Sequence, residues 1–326
     1  MTMRYLAVAV MLALALPGVA LAQPATPAEL TALGPLAPLH ATLIDAGKGA
    51  PVVVIVPGSG PTDRDGNNPY GVKASTYRLL AEGLAARGIS SVRIDKRGLF
   101  GSKAAIADPN AVTVADYAAD VRAWVASARA ATGARCVWLV GHSEGGLIVL
   151  ATGDAPDICG FITVSAPGRP FGVLIREQIR ANPANGAVFD QVDTAIAKLE
   201  AGERVDVSGM RPGLMTLFNP AVQGYLIDLM RYDPARLAAQ IKAPLLVVQG
   251  QSDIQIGEAD ARLLAAVRPG ARLTLLPGVN HVLKQIGSGD RAANIASYAN
   301  PDLPIDPGVV DAIATFVTGL KRSSRS

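Results

Sequence analysis

The sequence predicts an α/β fold, a mostly parallel sheet flanked by helices on both faces. Three observations carry that prediction. Apolar strand-like runs alternate with segments of helical apolar spacing along most of the 326 residues. Some of the runs, such as PVVVIVPG, are continuously apolar, as in strands buried on both faces. Several of them stop in glycine-rich or polar loops, the places where an open parallel sheet holds its ligands.

The elements follow in chain order. The opening MTMRYLAVAVMLALALPGVALA has one charge at Arg4, an apolar run from Tyr5 to Leu16, a Pro-Gly break and Ala20-Leu21-Ala22. It reads as a secretory signal peptide cleaved after Ala22, because the run is short of the roughly 20 apolar residues of a bilayer span. The protein is therefore expected to be exported, to a periplasm or the extracellular space. No other stretch is long and apolar enough to cross a membrane.

PVVVIVPG, from Pro51 to Gly58, is a buried strand entering a glycine loop. Ser75 to Arg87 has helical spacing closed by Gly88, and Ile89 to Asp95 is the next strand. Thr113 to Ala131 is a long amphipathic helix with Thr113 as N-cap. A strand at Cys136, a turn at Ser143, a helix and a strand from Phe161 to Pro167 follow. From Gly168 to Lys242 the pattern is helical, broken at Pro183, Pro212, Pro220 and Pro234. Alternation resumes with the strand Ala243 to Gly250, a helix from Glu258 to Val267, the strand Ala271 to Gly278 and a last helix from Pro307 to Leu320. The expected organisation is a signal peptide over 1–22, an α/β core in two parts over 23–167 and 243–326, and a helical insertion over 168–242 above one edge of the sheet.

Composition narrows the function. The formal charge is +3, with lysine and arginine scattered apart from the terminal KRSSRS, so neither nucleic acid nor an anionic membrane is an expected partner. The chain has two cysteines and no Cys/His cluster with zinc-ligand spacing, and no metal or cofactor is expected. Cys136 and Cys159 each begin an apolar run, CVWLV and CGFITV, at the same end of neighbouring strands. An oxidising compartment permits a disulfide between them, and two buried thiols are the alternative. The oligomeric state is open.

One stretch points to chemistry. VWLVGHSEGGLIVL, residues 137–150, passes from strand to helix within a few residues, which demands a sharp turn that Gly141 and Gly145 permit. Ser143 then stands at the apex in strained dihedrals with its hydroxyl exposed. Asp253 and His281 follow two later strands, so a serine, an acid and a histidine sit after three strands in that order.

Gly141-His142-Ser143-Glu144-Gly145 resembles the nucleophile elbow of the α/β-hydrolase family, and Asp253 and His281 fall where that family carries its acid and base. The resemblance covers essentially all of the chain after the signal. It implies the α/β-hydrolase fold, with 168–242 as a helical cap inserted after the strand that follows the elbow. GSGPTDRDG, residues 58–66, is similar to the loop of a bacterial esterase-like branch often described as peptidase-like or acyl-transfer-like. The arginine-glycine loop RGLFGS, from Arg97, is one residue longer than the RGxGxS of such relatives.

The residue types suit the chemistry. A serine hydroxyl needs a base to take its proton as it attacks, an imidazole can take and return that proton, and a carboxylate on the far nitrogen fixes the tautomer. Of three histidines, His40 precedes the first expected strand and the His142 ring should point away from Ser143, which leaves His281. Asp253 is favoured as the acid over Asp95, Glu258 and Asp260. One oxyanion donor is the backbone N–H of Glu144. The resemblance implies the N–H of Ser59 as the second, with Gly60 as the alternative.

Asp63, Arg64 and Asp65 are expected to clamp their loop, with a substrate contact by Arg64 as the sharper alternative. The Glu144 side chain is expected to be a solvated helix-start carboxylate, with a reach to the mouth of the site as the alternative, and Lys96 and Arg97 are expected to be structural. The activity expected is that of a serine carboxylesterase acting on small to medium acyl esters through an acyl-enzyme. A peptidase or amidase, a thioesterase or an acyltransferase would use the same triad. The cap is expected to line the acyl pocket with Phe171, Met210, Met215, Leu217, Phe218, Tyr225 and Met230, each of which could instead pack the cap onto the sheet.

Overall fold

The run Val52–Val56 reads VVVIV, and all five residues are buried. A strand hides both sides of its pleat only when both faces of the sheet are covered. The computed structural model, which describes residues 26–287 and 289–323, shows that cover. The expected signal peptide lies outside the described residues.

The strands are β1 (Ala28–Ala32), β2 (Leu39–Ile44), β3 (Val52–Val56), β4 (Ser90–Ile94), β5 (Val137–His142), β6 (Ile158–Val164), β7 (Leu245–Gly250) and β8 (Arg272–Leu276). They form one sheet in the order β1-β2-β4-β3-β5-β6-β7-β8. The two pairings that involve β2 are antiparallel and the remaining five are parallel. The helices of the core are α1 (Thr76–Ala85), α2 (Val114–Thr132) and α3 (Glu144–Thr152). A helical block between β6 and β7 adds α4 (Phe171–Arg180), α5 (Phe189–Glu200), α6 (Pro212–Leu217), α7 (Gln223–Leu229) and α8 (Pro234–Gln240). After β7 come α9 (Glu258–Val267), α10 (Arg291–Ser297) and α11 (Pro307–Ser323).

The side-chain period of two divides each strand between two cores. Val52, Val54 and Val56 join a cluster with Trp124 of α2, Ile148 of α3, Ala238 of α8 and Leu264 of α9. Val53 and Ile55 point the other way, onto Leu80 and Leu84 of α1 and Ile313 and Phe316 of α11. Each such side chain is worth about 1.5–3 kcal/mol of burial. Helix α2 starts at a capping box, in which Thr113 Oγ1 accepts from the Asp116 N–H at 3.1 Å and the Asp116 carboxylate accepts from the Thr113 N–H at 2.9 Å.

Two features differ from expectation. β1, β2 and α10 are additional elements: AELTA, LHATLI and RAANIAS lack the continuous apolar run or clear stripe that marks the others, and β1 buries only Ala32. The strand expected from Phe161 to Pro167 runs from Ile158 to Val164, because Ile158 pairs with Val137 and Ser165 turns to φ 48°. The helical block is inserted between β6 and β7, after the strand that follows the elbow. It has a core of its own around Val192, Ile196, Leu214 and Phe218, and rests through Leu229 and Tyr225 on Val114 and Leu147.

Cys136 and Cys159 form a disulfide with their Cα atoms 5.2 Å apart. It joins β5 and β6 at their amino ends, opposite the loops that follow the strands. Cross-linking residues 23 apart restrains the unfolded chain, worth about 3 kcal/mol in the chain-entropy description. A Cys136→Ala/Cys159→Ala variant is expected to lose about that much stability in denaturant titration, with the catalytic constants of the folded fraction unchanged.

Candidate active site

The elbow is a backbone crossing. A Cβ at Gly141 would stand 2.2 Å from the Gly145 carbonyl oxygen, and one at Gly145 would stand 2.3 Å from that of Val56. No side chain fits either gap, so β5 can turn into α3 only with glycine on both sides of the apex. Ser143 takes φ 54° and ψ −126° there, outside the regions a side-chain-bearing residue ordinarily occupies. Its N–H donates to the Val164 carbonyl at 2.9 Å, which ties the apex to β6. Its hydroxyl bonds to none of the described residues and opens on a cleft of about 100 Å³.

His281 lines the same cleft, in the turn after β8. Its Nδ1 lies 2.8 Å from Asp253 Oδ2, with both side chains buried. An ionised carboxylate only accepts, so Nδ1 carries a proton, and in the neutral ring Nε2 is the nitrogen with the free lone pair. Asp253 stands in the turn after β7, where its Oδ1 accepts from the N–H groups of Gln255 at 2.8 Å and Ile256 at 3.0 Å. Burial alone would raise the Asp253 pKa. The charge and hydrogen bond of His281 and the two N–H groups outweigh it and hold the carboxyl below its usual range. Among the described residues Ser143 Oγ and His281 Nε2 share no hydrogen bond; the cleft brings them to one surface.

The other histidines are occupied elsewhere. His40 sits on β2 with Nδ1 2.8 Å from Glu29. His142 is buried, with Nδ1 2.9 Å from the Tyr77 hydroxyl and Nε2 2.8 Å from the His281 carbonyl. Burial, then the neighbouring His281, pushes its pKa down to about 3, so it stays neutral. Nε2 faces a carbonyl and must donate, so Nδ1 accepts the Tyr77 proton while the Tyr77 oxygen accepts from the Gly58 N–H at 2.9 Å.

The alternative acids have other partners. Asp95 is bound to Arg64 at 2.7 Å, and not to the neighbouring Lys96 or Arg97. Asp260 is fully buried against Arg169 at 2.6 Å, and Glu258 is paired with Arg262. Arg64 also reaches Glu29 at 2.7 Å, Asp63 accepts from the N–H groups of Asp65 and Asn67, and Asp65 pairs with Arg93. These bonds clamp the loop after β3 against β1 and β4.

Two expectations are corrected. The Glu144 carboxylate is not solvated: it is buried, 3.0 Å from Ser59 Oγ and 3.5 Å from Lys96 Nζ. The cleft is not lined by the helical block but by core loops, with Thr62, Asn68, Gln255 and Tyr298 beside Ser59 and Ser143. Phe171, Met210, Leu217, Phe218 and Met230 pack the block's own core, Tyr225 packs at its seam with α2, and Met215 is exposed. Sequence reasoning also passed over Tyr77 as an ordinary helix residue. The one signal for the Lys96–Glu144 pair was opposite charge on residues that each follow a strand, and it needs the strand order to be read.

A model of the alpha/beta hydrolase family matches residues 53–286. Esterase EstD of Thermotoga maritima is 27% identical over 274 residues, 82% of this chain and 62% of that protein. The chain thus spans less than two-thirds of the length of this relative. Among solved structures, a thermophilic esterase from Thermogutta terrifontis aligns with a TM-score of 0.53 at 16% identity, over 93% of this chain and 100% of that one. The Pyrococcus furiosus esterase Pf2001 aligns with 0.54 at 15% identity, over 90% and 93%. At these identities the two structures have the fold in common. The family match runs from β3 through the elbow to just beyond His281, and the chain belongs to the alpha/beta hydrolase family.

Proposed function

We propose that this protein is an exported serine hydrolase that cleaves carboxylic esters through an acyl-enzyme. The observation that carries the reading is the Asp253–His281 pair, oriented at 2.8 Å, on the same cleft as a serine held at φ 54°. The esterase name of the Thermotoga maritima relative supports it. Export is supported by the charged-then-apolar N-terminus ending in Ala-Leu-Ala and by a disulfide that suits an oxidising compartment.

In this reading Ser143 Oγ attacks the ester carbonyl while His281 Nε2 takes its proton. Asp253 holds the imidazole tautomer and stabilises the imidazolium. The N–H groups of Ser59 and Glu144 receive the developing oxyanion; no described residue occupies the first, and the second opens α3, where an N–H lacks a helical partner. Collapse of the intermediate breaks the bond to the alcohol oxygen, which leaves with the proton from His281. Water then repeats the sequence on the acyl-enzyme and frees the acid. The open Ser143–His281 geometry suits a resting site, since such hydrogen bonds often tighten only with substrate bound.

The measurement is hydrolysis of p-nitrophenyl esters from acetate to octanoate. Ser143→Ala is expected to lower kcat by roughly 10⁴-fold or more and Asp253→Asn by roughly 10³- to 10⁴-fold. A folded wild type that cleaves no ester would overturn the reading and turn attention to amides, thioesters and acyl acceptors. The small cleft sets a second expectation: kcat/KM is highest for acetyl to butyryl esters and falls for octanoate. A rise with chain length would contradict that pocket assignment.

A further inference from the structure

We propose that the buried Lys96–Glu144 pair is a positioning device that aims the Ser59 N–H at the oxyanion. The inference rests on the hydrolase reading, with Ser143 as nucleophile and Ser59 as an oxyanion donor. Its starting point is a single peptide unit, the one joining Gly58 to Ser59. The Gly58 carbonyl accepts a hydrogen bond from Lys96 Nζ at 2.7 Å. In a planar trans peptide the C=O and N–H point in opposite directions, so a donor that fixes the oxygen also fixes the N–H. Lys96 holds the oxygen on the buried side, which turns the Ser59 N–H the other way. Ser59 lines the cleft, and its N–H is bonded to none of the described residues.

The placement is tight. A Cβ on Gly58 would come within 3.1 Å of Ser143 Cβ, so this peptide lies directly on the nucleophile. The preceding peptide is pinned by the bond from the Gly58 N–H to Tyr77. Glu144 closes the arrangement: Oε1 lies 3.5 Å from Lys96 Nζ and Oε2 accepts from Ser59 Oγ at 3.0 Å. One carboxylate therefore ties the residue that offers one donor to the residue that offers the other. Burial pulls the Lys96 pKa down, and the Glu144 charge opposes that, favouring the ammonium form. A charged donor on the carbonyl oxygen also polarises the peptide and strengthens its N–H as a donor.

The test compares wild type with Lys96→Met/Glu144→Gln, which removes both charges and leaves neither unpaired in the interior. Three quantities are read: kcat and KM on p-nitrophenyl acetate, affinity for a small alkylboronic acid that forms a tetrahedral adduct with the nucleophilic serine, and thermal stability. The expected result is a roughly 10- to 100-fold fall in kcat, KM within threefold, and a matching loss of boronate affinity. A folded double variant with kcat and boronate affinity within twofold of wild type overturns the proposal. If the double variant does not fold, Lys96→Arg decides. It keeps a cation beside Glu144 but replaces the point ammonium with a longer planar fork. At least fivefold losses in both readouts are then expected, and unchanged values overturn the proposal. A wild type inert to esters and blind to boronate sinks the hydrolase reading and this inference with it, an outcome separate from an active enzyme indifferent to Lys96.

Discussion

The close approach of Gly141 and Gly145 at the top of β5 is the constraint on which the site depends. The crossing leaves room for backbone alone and drives Ser143 to φ 54°. Such a conformation costs about 1–3 kcal/mol. The helix it launches buries Leu147, Ile148, Val149 and Leu150, each worth about 1.5–3 kcal/mol, so packing of α3 outweighs the strain several times over. With the turn fixed, three consequences follow. The hydroxyl stands clear of the sheet, the Glu144 N–H opens a helix beside it, and the His142 ring passes beneath the loops that carry Gly58 and His281.

Charges at the carboxyl ends of the strands form the second layer of order. Asp95 meets Arg64, Lys96 meets Glu144, Asp253 meets His281, and Asp260 meets Arg169. In every pair at least one member is buried. Removing one partner from a buried pair strands the other at about 3–5 kcal/mol, whereas replacing both by apolar groups of equal volume is often neutral. These pairs therefore hold loops in one geometry more than they hold the chain folded. Their clustering at one end of the sheet, with the disulfide at the other, separates the part of the molecule that sets shape at the site from the part that restrains the unfolded chain.

The sequence carried the parallel core clearly because VVVIV, VWLV and LLVV announce strands buried on both faces. Ser143 and Asp253 were readable because each follows such a strand and His281 because it follows the half-buried β8, and a parallel sheet brings the ends of all three strands to one edge. β1 and β2 were not readable. They are short, mixed in composition and half-exposed, and tertiary pairing rather than local pattern makes them strands. The Glu144 and Lys96 contacts were hidden for another reason. A glutamate in the first turn of a helix is ordinarily solvated, and only the neighbouring of β4, β3 and β5 brings Lys96 beneath it. The role of the helical block stayed open in the sequence because its apolar residues suit a pocket wall as well as a core, and composition does not separate the two.

The independence of that block has a consequence for how the molecule tolerates change. Its interior around Phe218 is closed on itself, and the cleft beside Ser143 draws its walls from loops of the α/β core. Free-energy effects of substitutions more than about 7–10 Å apart and without shared partners add to within a few tenths of a kcal/mol. Repacking around Phe218 and reshaping of the cleft are therefore nearly separable variables, joined where Tyr225 and Leu229 meet α2 and α3 and where Ala238 of α8 enters the core of the sheet. A lineage, or an engineer, can exchange one without renegotiating the other, provided those contacts are kept.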